Sequence, residues 1–162
     1  MLILGIDPGT ARTGWGVIKS VRGEQTMISY GCITTLAKTP MEDRLLILRQ
    51  ELEKLLRKYK PALVGVEKLF FAKNTKTALS VAQARGIVLV TLRGASVPIT
   101  EFTPLQVKQA ITGYGRADKL QMQYMVKTLL KLKDIPKPDD AADALAIAMT
   151  AAVSHRSLSS RA

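Results

Sequence analysis

Two short apolar runs, each closed by an acid, constrain this chain more than any other feature. Leu2-Ile3-Leu4-Gly5-Ile6 ends at Asp7, and Ala62-Leu63-Val64-Gly65-Val66 ends at Glu67. Apolar runs of this length bounded by turn residues read as buried strands. The first is followed by the turn Pro8-Gly9-Thr10, so its acid stands at a strand end. Two further strands, Thr13 to Ser20 and Thr26 to Thr34, are separated by Arg22-Gly23-Glu24. With the first they suggest an antiparallel meander.

The rest of the chain alternates helix and strand. Leu45, Leu48, Leu52 and Leu55 recur at helical spacing from Met41 to Tyr59, and Pro61 stops that helix before the Glu67 strand. The loop Phe70-Phe71-Ala72-Lys73 leads to a helix from Asn74 or Thr75 to about Arg93, then to a short strand from Val97 to Phe102. Thr103-Pro104-Leu105-Gln106 combines an N-cap, proline at the first helical position and Gln three residues after the cap, and Gly113 ends that helix. Another helix is expected from Asp118 to about Leu132, with Met122, Met125, Val126 and Leu129 on one face. Pro136 and Pro138 separate it from a last helix, about Asp139 to Ser154. The expected division is one domain over residues 1–154 and a short, Ser-rich, disordered tail over 155–162.

This order predicts an α/β protein with a mixed five-stranded sheet flanked by helices, of the ribonuclease H type. In that plan the first and fourth strands are adjacent and parallel, which sets Asp7 beside Glu67. Asp140 and Asp143 are three residues apart in a helix, about 60° apart on its circumference. Leu145, Ile147 and Ala148 can pack that helix on the sheet and bring its acidic start to the strand ends. Four carboxylates in one small volume repel each other and call for a cation. Oxygen ligands of this kind suit Mg²⁺ or Mn²⁺.

Charge points the same way. The chain of 162 residues carries a formal charge of +11. Lys108, Arg116, Lys119, Lys127, Lys131 and Lys133 face a single acid, Asp118, between Pro104 and Lys133. Acidic residues gathered in a basic protein read as a metal-dependent nuclease acting on a polyanion. Each feature has an ordinary alternative: Asp-Pro-Gly is a common turn, acids favour a helix start, and lysines solvate helix faces. Their coincidence on one strand-end geometry favours the site. The lone His155 leaves zinc or Ser-His-Asp chemistry without its usual centre. Single Cys32 fits a reducing cytoplasm, and neither a signal peptide nor a membrane span is expected.

The motifs resemble one family. Gly5-Ile6-Asp7-Pro8-Gly9-Thr10, Val66-Glu67, Phe70-Phe71-Ala72-Lys73-Asn74, Gln83-Ala84-Arg85-Gly86, Gln106-Val107-Lys108-Gln109 and Asp140-Ala141-Ala142-Asp143-Ala144-Leu145-Ala146-Ile147-Ala148 follow the order and spacing of the bacterial RuvC family of Holliday junction resolvases. The resemblance implies a homodimer that resolves four-way DNA junctions by paired symmetrical nicks during homologous recombination and repair. It implies two Mg²⁺ ions per active site, with Mn²⁺ able to substitute, held by Asp7, Glu67, Asp140 and Asp143. Hydrolysis would leave a 5′ phosphate and a 3′ hydroxyl. It further implies that Phe70 contacts bases at the junction centre, and that Lys73, Lys108, Arg116 and Lys119 meet DNA. The stripe Ala78, Ala82, Gly86 would lie in a dimer interface, and a branch-migration complex of the RuvA and RuvB type would be the partner. Rival readings are an actin-like ATPase, from the Asp7-Pro8-Gly9-Thr10 turn, a non-catalytic junction binder, and a nuclease of this fold acting on RNA or another branched DNA. The chain is too short for the two domains of the first, and intact carboxylates beside DNA argue against the second.

Overall fold

A computed structural model describes residues 1–68 and 75–159, with residues 75–76 and 157–159 described by backbone alone. Strands β1 (Leu2–Asp7), β2 (Arg12–Val21) and β3 (Glu24–Thr34) form the expected meander. Helix α1 (Met41–Tyr59), strand β4 (Leu63–Glu67), helix α2 (Thr75–Gly94) and strand β5 (Ile99–Phe102) follow, then helices α3 (Pro104–Thr112), α4 (Lys119–Leu129) and α5 (Asp139–Ser159). The five strands are ordered β3-β2-β1-β4-β5, with β1–β4 and β4–β5 parallel. This is the mixed sheet of ribonuclease H-like proteins.

Strand alternation divides the core in two. Leu4, Ile6, Val17, Val64 and Val66 pack against Leu48, Leu52 and Leu56 of α1 and Ala84, Val88 and Leu92 of α2. Ile3, Ile18, Leu63 and Phe102 point the other way, against α3, α4 and the buried face of α5. Asp7 has the parity of Ile3, and Glu67 that of Leu63. Both acids therefore belong to the α5 face.

Glycine lets α5 approach that face. Gly5 is in register with Gly16 on β2 and Gly65 on β4. A Cβ on Gly5 would overlap the backbone of Ala144 and Ala148, and one on Gly16 would strike Leu145. A Cβ on Gly65 would crowd Ile147 and Ala151. One strand step nearer the acids, a Cβ on Gly14 would overlap the Asp140 carbonyl. Small residues on both sides bring helix backbone onto sheet backbone, with Ala141, Ala144, Ala148 and Ala151 fully or almost fully buried.

Strand β3 begins at Glu24 rather than Thr26, β2 and α2 run slightly longer than expected, and three further boundaries depart from expectation. The last strand begins at Ile99 rather than Val97, because the Val97 N–H still donates to Leu92 O (3.2 Å) in the turn that closes α2. Helix α4 stops at Leu129, short of Leu132, where Lys131 adopts a left-handed φ of 54° and the Leu132 N–H donates back to Lys127 O (2.9 Å). Helix α5 continues to Ser159, so the tail expected from residue 155 is helical over its first part. No Gly or Pro follows Pro138 to break it. Arg156 also anchors the extension, its guanidinium filling the space where a Gly23 side chain would stand.

Candidate active site

The turn after β1 fixes the direction of Asp7. Thr13, buried in β2, donates its hydroxyl to Gly9 O (2.7 Å) and accepts from the Gly9 N–H (3.4 Å). Thr35 Oγ1 donates to Thr10 O (2.6 Å) and accepts from Arg44 Nε (2.9 Å), tying the turn to α1. A Cβ at Gly9 would overlap the Arg12 carbonyl, so the chain can reverse this tightly only with glycine there. Across the sheet, parallel pairing of Ile6 with Val66 sets Glu67 beside Asp7. Helix α5 delivers Asp140 above β2 and Asp143 toward β4. The four expected carboxylates thus share one sheet end, all partly buried.

Their proton affinities record the crowding. Asp7 is held well above the ordinary carboxylate range, first by burial and then by Glu67, Asp143 and Asp140, with Lys119 opposing. Burial and Asp143 push Glu67 up to about 7, although a hydrogen bond with Asp7 pulls the other way. Burial also raises Asp143, against the pull of Lys119. Among the described residues no three acids form a ready-made metal-ligand group. A cluster of hard oxygen donors with an uncompensated electrostatic penalty fits a divalent cation.

Cations border this row. Lys119 Nζ lies 3.0 Å from Asp139 Oδ2 and 3.9 Å from Asp143 Oδ2. Burial disfavours its charge, but the bond to Asp139 and the charges of Asp143 and Asp140 outweigh that and raise its pKa. The same contact holds Asp139 below the ordinary range. Lys119 reaches this position because Asp118 caps α4, its carboxylate accepting from the Gln121 N–H (2.8 Å). Lys108, on α3, shares with Glu67, Lys119, Asp143, Pro104 and Met122 a cavity of about 220 Å³. Arg116 stands exposed in the α3–α4 connection, with no contact to the acids shown. Phe70, Phe71 and Lys73 lie outside the described residues.

Sequence reasoning missed three members of this neighbourhood. Arg12 places Nη1 3.9 Å from Asp140 Oδ2. Asp139, the first residue of α5, partners Lys119. Cys32 pairs across with Gly14 in the ladder, and burial together with Asp140 raises its thiol to about 11. Nothing local marks Arg12 or Cys32. The glycine row did have a signal, since glycine inside a strand pattern indicates close backbone approach.

Carboxylates collected at the strand ends of a ribonuclease H-like sheet define a class, the divalent-metal-dependent nucleases. The model of one family, crossover junction endodeoxyribonuclease RuvC, matches residues 3–151, and the chain belongs to that family. A relative of that name from Desulforamulus reducens is 54% identical over 149 residues, covering 92% of this chain and 91% of the relative. The solved Thermus thermophilus RuvC structure superposes with a TM-score of 0.88 at 35% identity, over 97% of this chain and 96% of that one. T. thermophilus RuvC in complex with Holliday junction substrate superposes with a TM-score of 0.87 at 34% identity, with the same two coverages.

Proposed function

We propose that this protein is an endonuclease that resolves four-way DNA junctions by paired symmetrical nicks in homologous recombination and repair. The observation that carries the reading is the meeting of Asp7, Glu67, Asp140 and Asp143 at one sheet end, beside Lys108 and Lys119, in a chain of this family. The four carboxylates would hold two Mg²⁺ ions, with Mn²⁺ able to substitute. Bound there, the ions would supply a nucleophilic hydroxide from water and stabilise the leaving 3′ oxygen.

The chain's own side chains do the rest. Lys119, already held at the Asp139–Asp143 edge, can turn its ammonium toward the scissile phosphate and offset charge in the transition state. Lys108 faces the same cavity and binds a neighbouring phosphate oxygen. Partial burial of the row limits competing water. Phe70 would wedge against bases at the junction centre, and Lys73 and Arg116 would contact phosphates. The products would be a 5′ phosphate and a ligatable 3′ hydroxyl.

Helix α2 supports a homodimer. Leu79 and Val90 are 73% and 72% exposed, and Gln83 and Gly86 lie between them on the same helix face. A Cβ at Gly86 would meet nothing within 4 Å. Spacings of four, three and four residues make a seam on which a second copy can lie, and a two-fold axis there would match that of a junction. We read the chain as one nuclease domain acting in the cytoplasm with a branch-migration complex of the RuvA and RuvB type. Among the described residues no helix is long and apolar enough to cross a membrane.

The test is cleavage of a mobile synthetic four-way junction beside linear duplex, with Mg²⁺ or Mn²⁺, using wild type and Asp7→Asn. Paired nicks that reseal with ligase and disappear in the variant are expected. Tight binding without nicking under either ion would replace the reading with a structural role.

A further inference from the structure

The carboxylate row has a cation at each end, and only one of them has been given work. At the β4 side Lys119 meets Asp139 and Asp143. At the β2 side the guanidinium of Arg12 stands 3.9 Å from Asp140. Arg12 opens β2 opposite Thr34 of β3, so its guanidinium lies over the β2–β3 end of the row, where its charge opposes the rise in the Cys32 thiol pKa. A DNA strand crossing the acids from Lys108 toward β2 would pass Arg12 after the reacting phosphate.

We propose that Arg12 is a phosphate-contacting residue on the β2 side of the scissile bond, held in reserve by Asp140 until a divalent ion takes up that carboxylate's charge. The inference rests on the junction-cleaving reading of the site. The pair is well suited to such an exchange. Arg12 is 59% exposed in its side chain and its contact with Asp140 is long, so leaving Asp140 costs little. Once Asp140 binds an ion, the guanidinium stands at the rim of a DNA-binding surface without a partner acid. Its planar fork then matches two oxygens of one phosphate. Arg12 therefore competes with the ion in free protein and joins the substrate in the complex.

Two titrations on full-length Arg12→Gln and Arg12→Lys separate the parts. Mn²⁺ calorimetry without DNA should show tighter binding to Arg12→Gln, by about 3-fold, because Asp140 loses its competing cation. Anisotropy of a labelled four-way junction in Ca²⁺, over a salt series, should show about 5-fold weaker binding and a slope in log K against log salt smaller by about one. Arg12→Lys keeps the charge and should retain most of that slope. An unchanged slope in Arg12→Gln overturns the proposal, leaving Arg12 a counter-ion if Mn²⁺ binding tightens and a solvated surface residue if it does not. Failure of wild type to cut junctions would instead sink the reading on which it rests.

Discussion

The two faces of the sheet solve different problems with different residues. Against α1 and α2 the strands present Leu, Ile and Val, whose bulk keeps helix axes at the usual distance. Against α5 three neighbouring strands present glycine in one row, and the helix answers with alanine. Both faces bury apolar side chains, and the first also exposes a seam on α2. The second gives up side-chain volume to set backbone against backbone. The proposed catalytic carboxylates lie on the second, where a short side chain from a helix must reach a strand end with little freedom.

The sharpest division between the faces is at Asp7. Replacing it with Asn should lower junction cleavage by roughly a thousandfold, about 4 kcal/mol of transition-state stabilisation, while junction binding persists. The same change removes an ionisable carboxyl from a crowded cluster, so the ion-free variant should melt above wild type in EDTA at pH 8. A lower melting temperature would mean that the row is not electrostatically strained.

A pair of core substitutions asks whether tight approach or mere burial matters. Leu52, 1% exposed on α1, should cost about 2–5 kcal/mol on conversion to Ala, through lost contacts and a cavity. Cleavage per folded molecule should hardly change. Gly5→Ala should cost about 1–3 kcal/mol by overpacking, because the clash is with α5 backbone that cannot step aside. It should also cut cleavage per folded molecule by about tenfold or more, the order expected for a misplaced catalytic group. Equal losses of specific activity in both variants would break the comparison.

Acid–base behaviour gives the next test. Glu67 rises from an ordinary 4.5 to about 7 on folding, so between those values the folded state holds more protons than the unfolded one. Ion-free stability therefore falls as pH rises through that window, and the raised Asp7 and Asp143 act in the same direction. The loss should be on the order of 1–3 kcal/mol, given partial solvent screening. Saturating Mg²⁺ should flatten the slope, because the bound carboxylates are already ionised. Denaturant titrations from pH 4.5 to 8, with and without ion, measure it; a slope of opposite sign would place the acids apart.

Much of this division was legible in the residues. Acid-closed apolar runs fixed β1 and β4, and pairing them parallel followed from the α/β order. The Thr103-Pro104-Leu105-Gln106 signal located α3 to the residue because capping is local chemistry. What escaped was non-local. Arg12 meets Asp140 only because α5 packs over Gly14, and no pattern near residue 12 encodes residue 140. Exposure changes along the stripe Ala78, Ala82, Gly86 of α2. Gly86 is exposed, whereas Ala78 and Ala82 are partly covered, and the outward seam is carried by Leu79 and Val90.

That seam and the end of α5 carry the two smallest effects. Leu79→Asp with Val90→Asp should convert a dimer to monomer in sedimentation velocity and leave the fold intact, since both side chains are largely exposed. Arg156→Ala probes the helical extension that sequence reading had given to a tail. The guanidinium covers Gly23 from outside the core, so its loss should cost no more than about 0.5 kcal/mol. Hydrogen exchange should quicken in the last turns of α5 while the carboxylate end, one helix length away, stays protected. Exchange that quickened equally at Asp140 would mean α5 is held as a rigid rod from its far end, rather than clamped locally by the glycine row.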